Sequence, residues 1–294
     1  MEVPASRLHD RIECRRRVRE MPIGTTVLVA DSVTTDEFRR WIHEDVPICD
    51  SCTRLARSPM IFIDGQLYLS MESLAHARAV GAFKRSLNGK LEDLGVHWRD
   101  RLLDGGSPLV WSGSAAWRTN GSLVAGEVLQ GERCGQLVSC PIEIEVAHSQ
   151  HTGDVTQVSK LDTLLRNHRL SKKGKGRSLS LKEKADLLLQ VKDGPQMVIA
   201  LSGDVKAETM EGGVLLRSKN GPVLHGDWVS ITKNDEPGFK FLAIPVSILY
   251  SGASVLEALE KIGDGDVLVD LYDTFWGWMK ASGGKRGGRS SKDD

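Results

Sequence analysis

The alternation of apolar and polar positions is clearest between Ser58 and Leu87. Met60-Ile61-Phe62-Ile63 is a continuous β-prone run, Asp64-Gly65 has the chemistry of a two-residue hairpin turn, and Leu67 to Leu69 returns as a second strand. The period then changes: Leu74, Ala77 and Val80 recur at helical spacing, with Ser70 as the expected N-cap and Glu72 and Ser73 in the first turn. The unit predicted is strand, tight turn, strand, helix. Upstream, residues 6–21 read as a basic helix with Leu8, Ile12 and Val18 on one side, ended by Pro22 and Gly24. Thr25 to Ala30 is a strand by composition. Thr34 followed by Glu37 has the spacing of a capping box, opening a helix through Phe38, Trp41 and Ile42.

Gly105-Gly106-Ser107-Pro108 breaks the pattern, and short strands are expected after it at 109–111, 122–129 and 136–148. In the last of these Ile142, Ile144 and Val146 alternate with Glu143 and Glu145. Two carboxylates at i and i+2 suit a metal ion or an acid/base pair, but the expectation taken is the solvated face of an antiparallel strand. Helices are predicted at 155–169 and 180–192, the second opened by Ser180 with Glu183 completing a capping box. Strands return at 197–201, 213–217, 223–232 and 239–249, the last interrupted by Pro245. Asp204, Lys206 and Glu208 have residue types found in nuclease metal sites without the spacing of a recognised motif. A short helix at 254–262 precedes a dense cluster of Val267, Leu268, Val269, Leu271, Phe275, Trp276 and Trp278, which reads as core or as a homo-oligomer contact through 266–279.

These changes of character divide the chain into residues 1–104, a β-rich α+β domain over 105–280, and a basic Gly/Ser-rich tail over 281–294 expected to be disordered. The length of 294 residues is enough for two domains with cores of their own. Hydrophobic residues at 40% and charged residues at 27%, with a formal net charge of zero, argue against a protein that coats nucleic acid along its whole surface. No run approaches the roughly 18 apolar residues of a membrane span, and Met1 to Glu20 is too charged for a signal peptide. No membrane partner is therefore expected, and the expected location is the cytoplasm, with the nucleus left open. Five cysteines fit a reducing compartment better than a disulfide framework.

Charge is nevertheless concentrated locally. Arg166, Arg169, Lys172, Lys173, Lys175 and Arg177 lie in one stretch without an acid, and Gly174 and Gly176 loosen it. With no aromatic residue interleaved, the binding expected is to RNA or DNA backbone and not to stacked bases. A solvated loop or a nuclear-import address fits the same residues. Cys49-Asp50-Ser51-Cys52 is open to three readings: a redox pair, half of a zinc site completed from Cys14, His43, His76 or His97, or incidental loop thiols.

Residues 11–94 resemble a glutaredoxin: a basic helix, a strand, a helix carrying Glu37-Phe38-Arg39-Arg40-Trp41, Pro59 in the place of the family's cis-proline, the Phe62-Ile63-Asp64-Gly65 hairpin, and Glu72-Ser73-Leu74 followed by Gly81-Ala82-Phe83. The resemblance implies an α/β thioredoxin-like N-terminal domain, with Pro59, Glu72 and Ser73 as ligand-binding residues and glutathione as the ligand. The departures bear on activity. The family's nucleophilic cysteine, activated at a helix N-terminus, falls near Arg11 or Ile12, and Cys14 falls nearer the second thiol. Leu69-Ser70 replaces the paired glycines that let glutathione approach. The domain implied is degenerate, a scaffold more than an oxidoreductase.

No Ser/His/Asp set, nucleophile elbow or HExxH helix is present. The function expected from sequence is an intracellular, non-enzymatic binding protein that contacts nucleic-acid backbone on a degenerate glutaredoxin-like scaffold. The alternatives are a thiol-disulfide oxidoreductase using Cys14, or Cys49 with Cys52, and a structural, self-assembling protein. No cofactor is required; glutathione and zinc, the latter on Cys49 and Cys52, are the two considered.

Overall fold

The computed structural model describes residues 26–42, 60–70, 73–97, 100–104, 106, 109–112, 115–125, 140–147, 181–190, 195–251, 257–260 and 265–283. The hairpin forms from β2, Met60–Ile63, and β3, Gln66–Ser70, closed by Ile63 opposite Gln66. Its turn residues have φ of 47° at Asp64 and 74° at Gly65, the left-handed pair that a two-residue hairpin requires and that Asp-Gly supplies. β1, Thr26–Ala30, lies antiparallel on the free side of β3. Helix α1, Thr35–Arg40, opens with the expected capping box: Thr34 Oγ1 accepts from Glu37 N, and Thr34 N donates to Glu37 Oε2 at 2.7 Å. Behind it Phe38 and Trp41 are buried with Met60, Phe62, Leu67 and Leu69, and the Phe38 and Phe62 rings stack at 4.4 Å.

The sheet is completed by two later strands, β5, Leu109–Ser112, and β6, Ala115–Arg118, in the order β1-β3-β2-β6-β5. Every pairing in it is antiparallel among the described residues. A thioredoxin-like sheet needs a parallel strand–helix–strand unit. Here β1 runs antiparallel beside β3, and no parallel pairing occurs in this sheet among the described residues. The expected thioredoxin-like N-terminal domain is therefore not supported; the chain is mixed α/β with several sheets.

The larger sheet has the order β11-β10-β9-β8-β7-β4. Its strands are β4, Leu102–Asp104; β7, Gly121–Ala125; β8, Cys140–Ala147; β9, Met197–Asp204; β10, Thr209–Leu216; and β11, Val223–Thr232. β8 and β9 run parallel, joined by a connection that contains helix α3, Leu181–Gln190; every other pairing described in this sheet is antiparallel. Strands are exchanged across position 104/105, since β4 joins this sheet while β5 and β6 join the first.

The two faces of the larger sheet are covered differently. On one face Cys140, Ile142, Ile144, Ile199 and Leu201 pack against helix α2, Leu74–Asp93, and helix α6, Tyr272–Ser282. A two-stranded ribbon, β12, Phe241–Pro245, and β13, Asp266–Asp270, joins the same core, as do helix α4, Val246–Leu249, and helix α5, Glu257–Glu260. On the other face Val198, Ala200 and Leu215 meet Ile61, Ile63 and Trp117 of the first sheet, and Ala185, Leu188 and Leu189 of α3.

Two local expectations change. Ser70 ends β3, and α2 begins later, with Ser73 as its N-cap: its hydroxyl accepts from His76 N at 3.2 Å. The aromatic cluster at 266–279 is core. Val267, Val269, Leu271, Phe275 and Trp278 are buried within the chain, which leaves the expected homo-oligomer contact without those side chains. Strand alternation turns Leu268 outward, and Trp278 lies over Gly203, where a Cβ would overlap the indole ring. Among the described residues no helix is long and apolar enough to cross a membrane.

Candidate functional site

Most of the residues singled out from sequence lie outside the described residues: Cys14, Cys49, Cys52, Pro59, Glu72, and the basic set Arg166, Arg169, Lys172, Lys173, Lys175 and Arg177. Ser73, expected beside a glutathione-like ligand, is nine-tenths buried and committed to capping α2. The thiol that is described, Cys140, sits inside β8, and burial pushes its pKa up to about 12 although the nearby Lys84 charge acts the other way. A thiol held neutral in this way is a packing group and a poor nucleophile.

β8 itself carries the less ordinary residue. Its even positions, Cys140, Ile142 and Ile144, face the helix-covered core, while Glu143 points to the opposite face and is only 1% exposed. In register Glu143 stands beside Ala200 of β9, and Ala200 stands beside Gly213 of β10. The space over Gly213 is taken by the Trp228 ring, which a Cβ there would overlap. Placing a carboxylate on this covered face costs several kcal/mol unless its surroundings compensate it.

The chain beside Glu143 is fixed by a side chain where the backbone ladder stops. β7 pairs with β8 from Leu123 opposite Cys140 to Gly121 opposite Ile142, and the chain before Gly121 leads back to the first sheet. Asn120 Nδ2 then donates to Ile144 O at 2.7 Å, satisfying a β8 carbonyl next to Glu143. Gly121 allows close packing beneath α2, since a Cβ there would crowd Val80 and Lys84. Lys84 in turn reaches Asp104 on β4 in a short ion pair, tying α2 to the sheet edge on the face away from Glu143.

Beyond Glu143 the parallel pair opens toward solvent. Along β9 the same face runs from buried Ala200 through partly exposed Ser202 and Asp204, and the turn beyond exposes Lys206. Position 145 pairs with Ser202, and Ala147 with Asp204. Glu211 of β10 is exposed and pairs with Ser202. Asp204 Oδ1 accepts from Lys206 N at 2.9 Å and Ala207 N at 3.1 Å, and Glu208, at φ 53°, forms an ion pair with Lys233. The nuclease-like residue types at 204–208 thus build and close a turn. Among the described residues no three His, Cys, Asp or Glu side chains gather as a metal site.

The alternating pattern at 142–146 located β8 correctly but misplaced Glu143 in solvent. A signal was available: Met197-Val198-Ile199-Ala200-Leu201 is an unbroken apolar run, the mark of a strand covered on both faces, and its parallel neighbour shares that cover.

No protein-family model matches the chain, and no curated protein does. Among solved structures, a chain from Anabaena variabilis described as a "putative nuclease belonging to DUF820" is similar over 84% of this chain and 99% of its own, at 13% identity and a TM-score of 0.39. The function expected from sequence, a non-enzymatic binding protein on a degenerate glutaredoxin-like scaffold with thiol redox as an alternative, is corrected in its scaffold: the sheet built on the Met60–Ile63 hairpin has only antiparallel pairings among the described residues.

Proposed function

We propose that the chain is a hydrolase of nucleic-acid phosphodiesters, with Glu143, midway along β8, as the proton acceptor. The observation that carries this reading is the buried Glu143 carboxylate on a strand that turns from antiparallel to parallel pairing across its width. Glu143 lies four residues before the strand's carboxyl end at Ala147. A desolvated carboxylate in that position is a candidate general base. The connection leaving this end of β8 contains the cationic sequence from Arg166 to Arg177, so in the chain a base and a phosphate-attracting stretch follow one another.

In the step assigned, Glu143 takes a proton from a water whose oxygen forms the new bond to phosphorus; the bond from phosphorus to the departing ribose oxygen breaks, and solvent protonates that oxygen. Ser202 and Asp204 are partly exposed on the same face, toward the carboxyl end of β9.

The test is cleavage of labelled single-stranded and duplex DNA and RNA by the full chain, with and without added divalent cations, set against Glu143→Gln. Loss of at least about 100-fold in kcat is expected, the lower end of what a general base contributes. Equal cleavage by the two proteins, or none by the wild type on any of the four substrates, would end the reading.

A further inference from the structure

The ribbon of β12 and β13 carries apolar side chains on both of its faces. Phe241-Leu242-Ala243-Ile244 and Val267-Leu268-Val269 are unbroken apolar runs, the mark of strands covered on two sides. The inner side is covered, since Leu242, Ile244, Val267 and Val269 enter the core shared with α2 and α6. The residues between them turn the other way. Phe241 and Ala243 are partly exposed, Leu268, in register with Ala243, is 51% exposed, and Phe239, two residues before Phe241, is 69% exposed. Among the described residues this outer face lacks the cover that the inner one has.

The loop that presents Phe239 is firmly held. Thr232 N and Oγ1 both donate to Asp235 Oδ2, at 2.7 and 2.9 Å, Gly238 N donates to Asp270 Oδ2 at 2.6 Å, and Leu271 N donates to Lys240 O at 2.9 Å. An aromatic ring fixed in this way loses little entropy when it meets a partner. Strand β11 borders the face farther along, where Gly226 passes close to Ala243 and His225 Nε2 lies 2.7 Å from Asp266 Oδ1.

The rim has one dominant sign. Asp227 of β11, Asp235 and Glu236 of the loop, and Asp266, Asp270 and Asp273 flank the apolar residues. Lys240 and, when protonated, His225 stand against them, while Lys233 is matched by Glu208. A hydrogen bond orients a carboxylate and leaves its charge in place, so the field over this face is negative. It repels a nucleic-acid strand, and it repels a second copy of the same face.

We infer that the outer face of the β12–β13 ribbon, with Phe239 and Leu268 as its anchors, docks a protein segment that carries aliphatic or aromatic side chains flanked by lysine and arginine. An apolar centre with an acidic rim is complementary to that chemistry. The surface is separate from Glu143 and stands without the hydrolase reading.

The experiment selects from a displayed library of short random peptides on the immobilised full chain, then titrates the most enriched peptide by fluorescence anisotropy. Apolar sequences rich in lysine and arginine are expected, with affinity falling at least about tenfold in the Phe239→Ser, Leu268→Ser double variant and falling with added salt. Asp227→Asn with Glu236→Gln, which keeps the apolar residues, should weaken the same peptide about threefold and flatten its salt dependence. Leu103→Ser, at an exposed leucine of β4 on the opposite edge of the larger sheet, is the control and should match the wild type. All the changed side chains are exposed, so urea midpoints should stay at the wild-type value and separate lost binding from lost folding. No enriched sequence, enrichment of acidic sequences, or equal affinity in the Phe239→Ser, Leu268→Ser variant would overturn the inference. A wild-type dimer that this variant loses in light scattering would give the face to a second copy, and labelled single-stranded DNA bound by the wild type alone would give it to nucleic acid; either overturns it as well.

Discussion

Strand β8 presents two opposed environments one residue apart. Cys140, Ile142 and Ile144 enter a core of α2, α6 and the β12–β13 ribbon made of aliphatic and aromatic side chains. Glu143, between two of them in sequence, is as well covered but lies on the other face, beside Ala200 and next to the place where Asn120 clips the first sheet's chain onto β8. The first face accounts for stability by itself, because buried apolar area is favourable wherever it falls. On the second, burial works against the group being buried and must be offset by its surroundings. Covering alone therefore does not distinguish a core from a site; the sign of the burial energy does.

That contrast breaks if exchanging the two classes of residue gives the same phenotype. Glu143→Gln is expected to cost at least about 100-fold in kcat of the folded protein. Ile142→Ala, its immediate neighbour on the other face, should cost about 2–5 kcal/mol in unfolding free energy while the molecules that remain folded keep their activity. Paired urea titrations and single-turnover cleavage rates on the two variants decide it. A similar activity loss in both would mean that Glu143 reports only on the integrity of β8.

The helix-covered face has its own measure in the packing of Trp278 on Gly203. Trp278→Ala should destabilise by about 3–5 kcal/mol, the range for a large aromatic removed from a core. Gly203→Ala comes next, at roughly 1–3 kcal/mol, because the new methyl overlaps the indole. Combining Gly203→Ala with Trp278→Leu should recover part of that loss, since the two sites touch and their effects are not additive. Strict additivity would show that the glycine is kept for some reason other than the ring.

The chain's local signals were legible where a short sequence decides its own geometry. Asp64-Gly65, the Thr34–Glu37 box and the limits of β11 were all readable because turn and cap chemistry is contained within a few residues. The cap falls on Ser73 and not on Ser70, since either hydroxyl is a competent cap and only the length of β3 separates them. What could not be read was the company each strand keeps. Nothing within Met60 to Ser70 records that both hairpin edges are taken by antiparallel partners, one from β1 and the other from β6 far along the chain, and that non-local choice leaves the thioredoxin-like arrangement unsupported. The same applies to Glu143. Alternation tells which residues share a face, but which face is covered depends on elements elsewhere in the chain, the first sheet and α3.

The smallest expected effect separates the two faces by pH. Cys140 on the helix-covered face has its thiol pKa raised from the usual 9.0 to about 12 by burial, so between those values the folded chain keeps a proton that the unfolded chain releases. Its contribution to stability is complete below about pH 9 and is lost as pH rises toward 12. Tyr250, raised to about 12 by burial and by the Asp100 charge, declines in an overlapping window, and its hydroxyl donates to Asp100 O at 3.0 Å. Cys140→Ala should therefore make the fall of unfolding free energy above pH 9 shallower without abolishing it, with Tyr250 supplying the remainder. Urea midpoints taken at intervals from pH 8 to the alkaline limit give the slope. An unchanged slope in Cys140→Ala would mean that the thiol titrates as it does in the unfolded chain, and that burial on the apolar face does not hold it neutral.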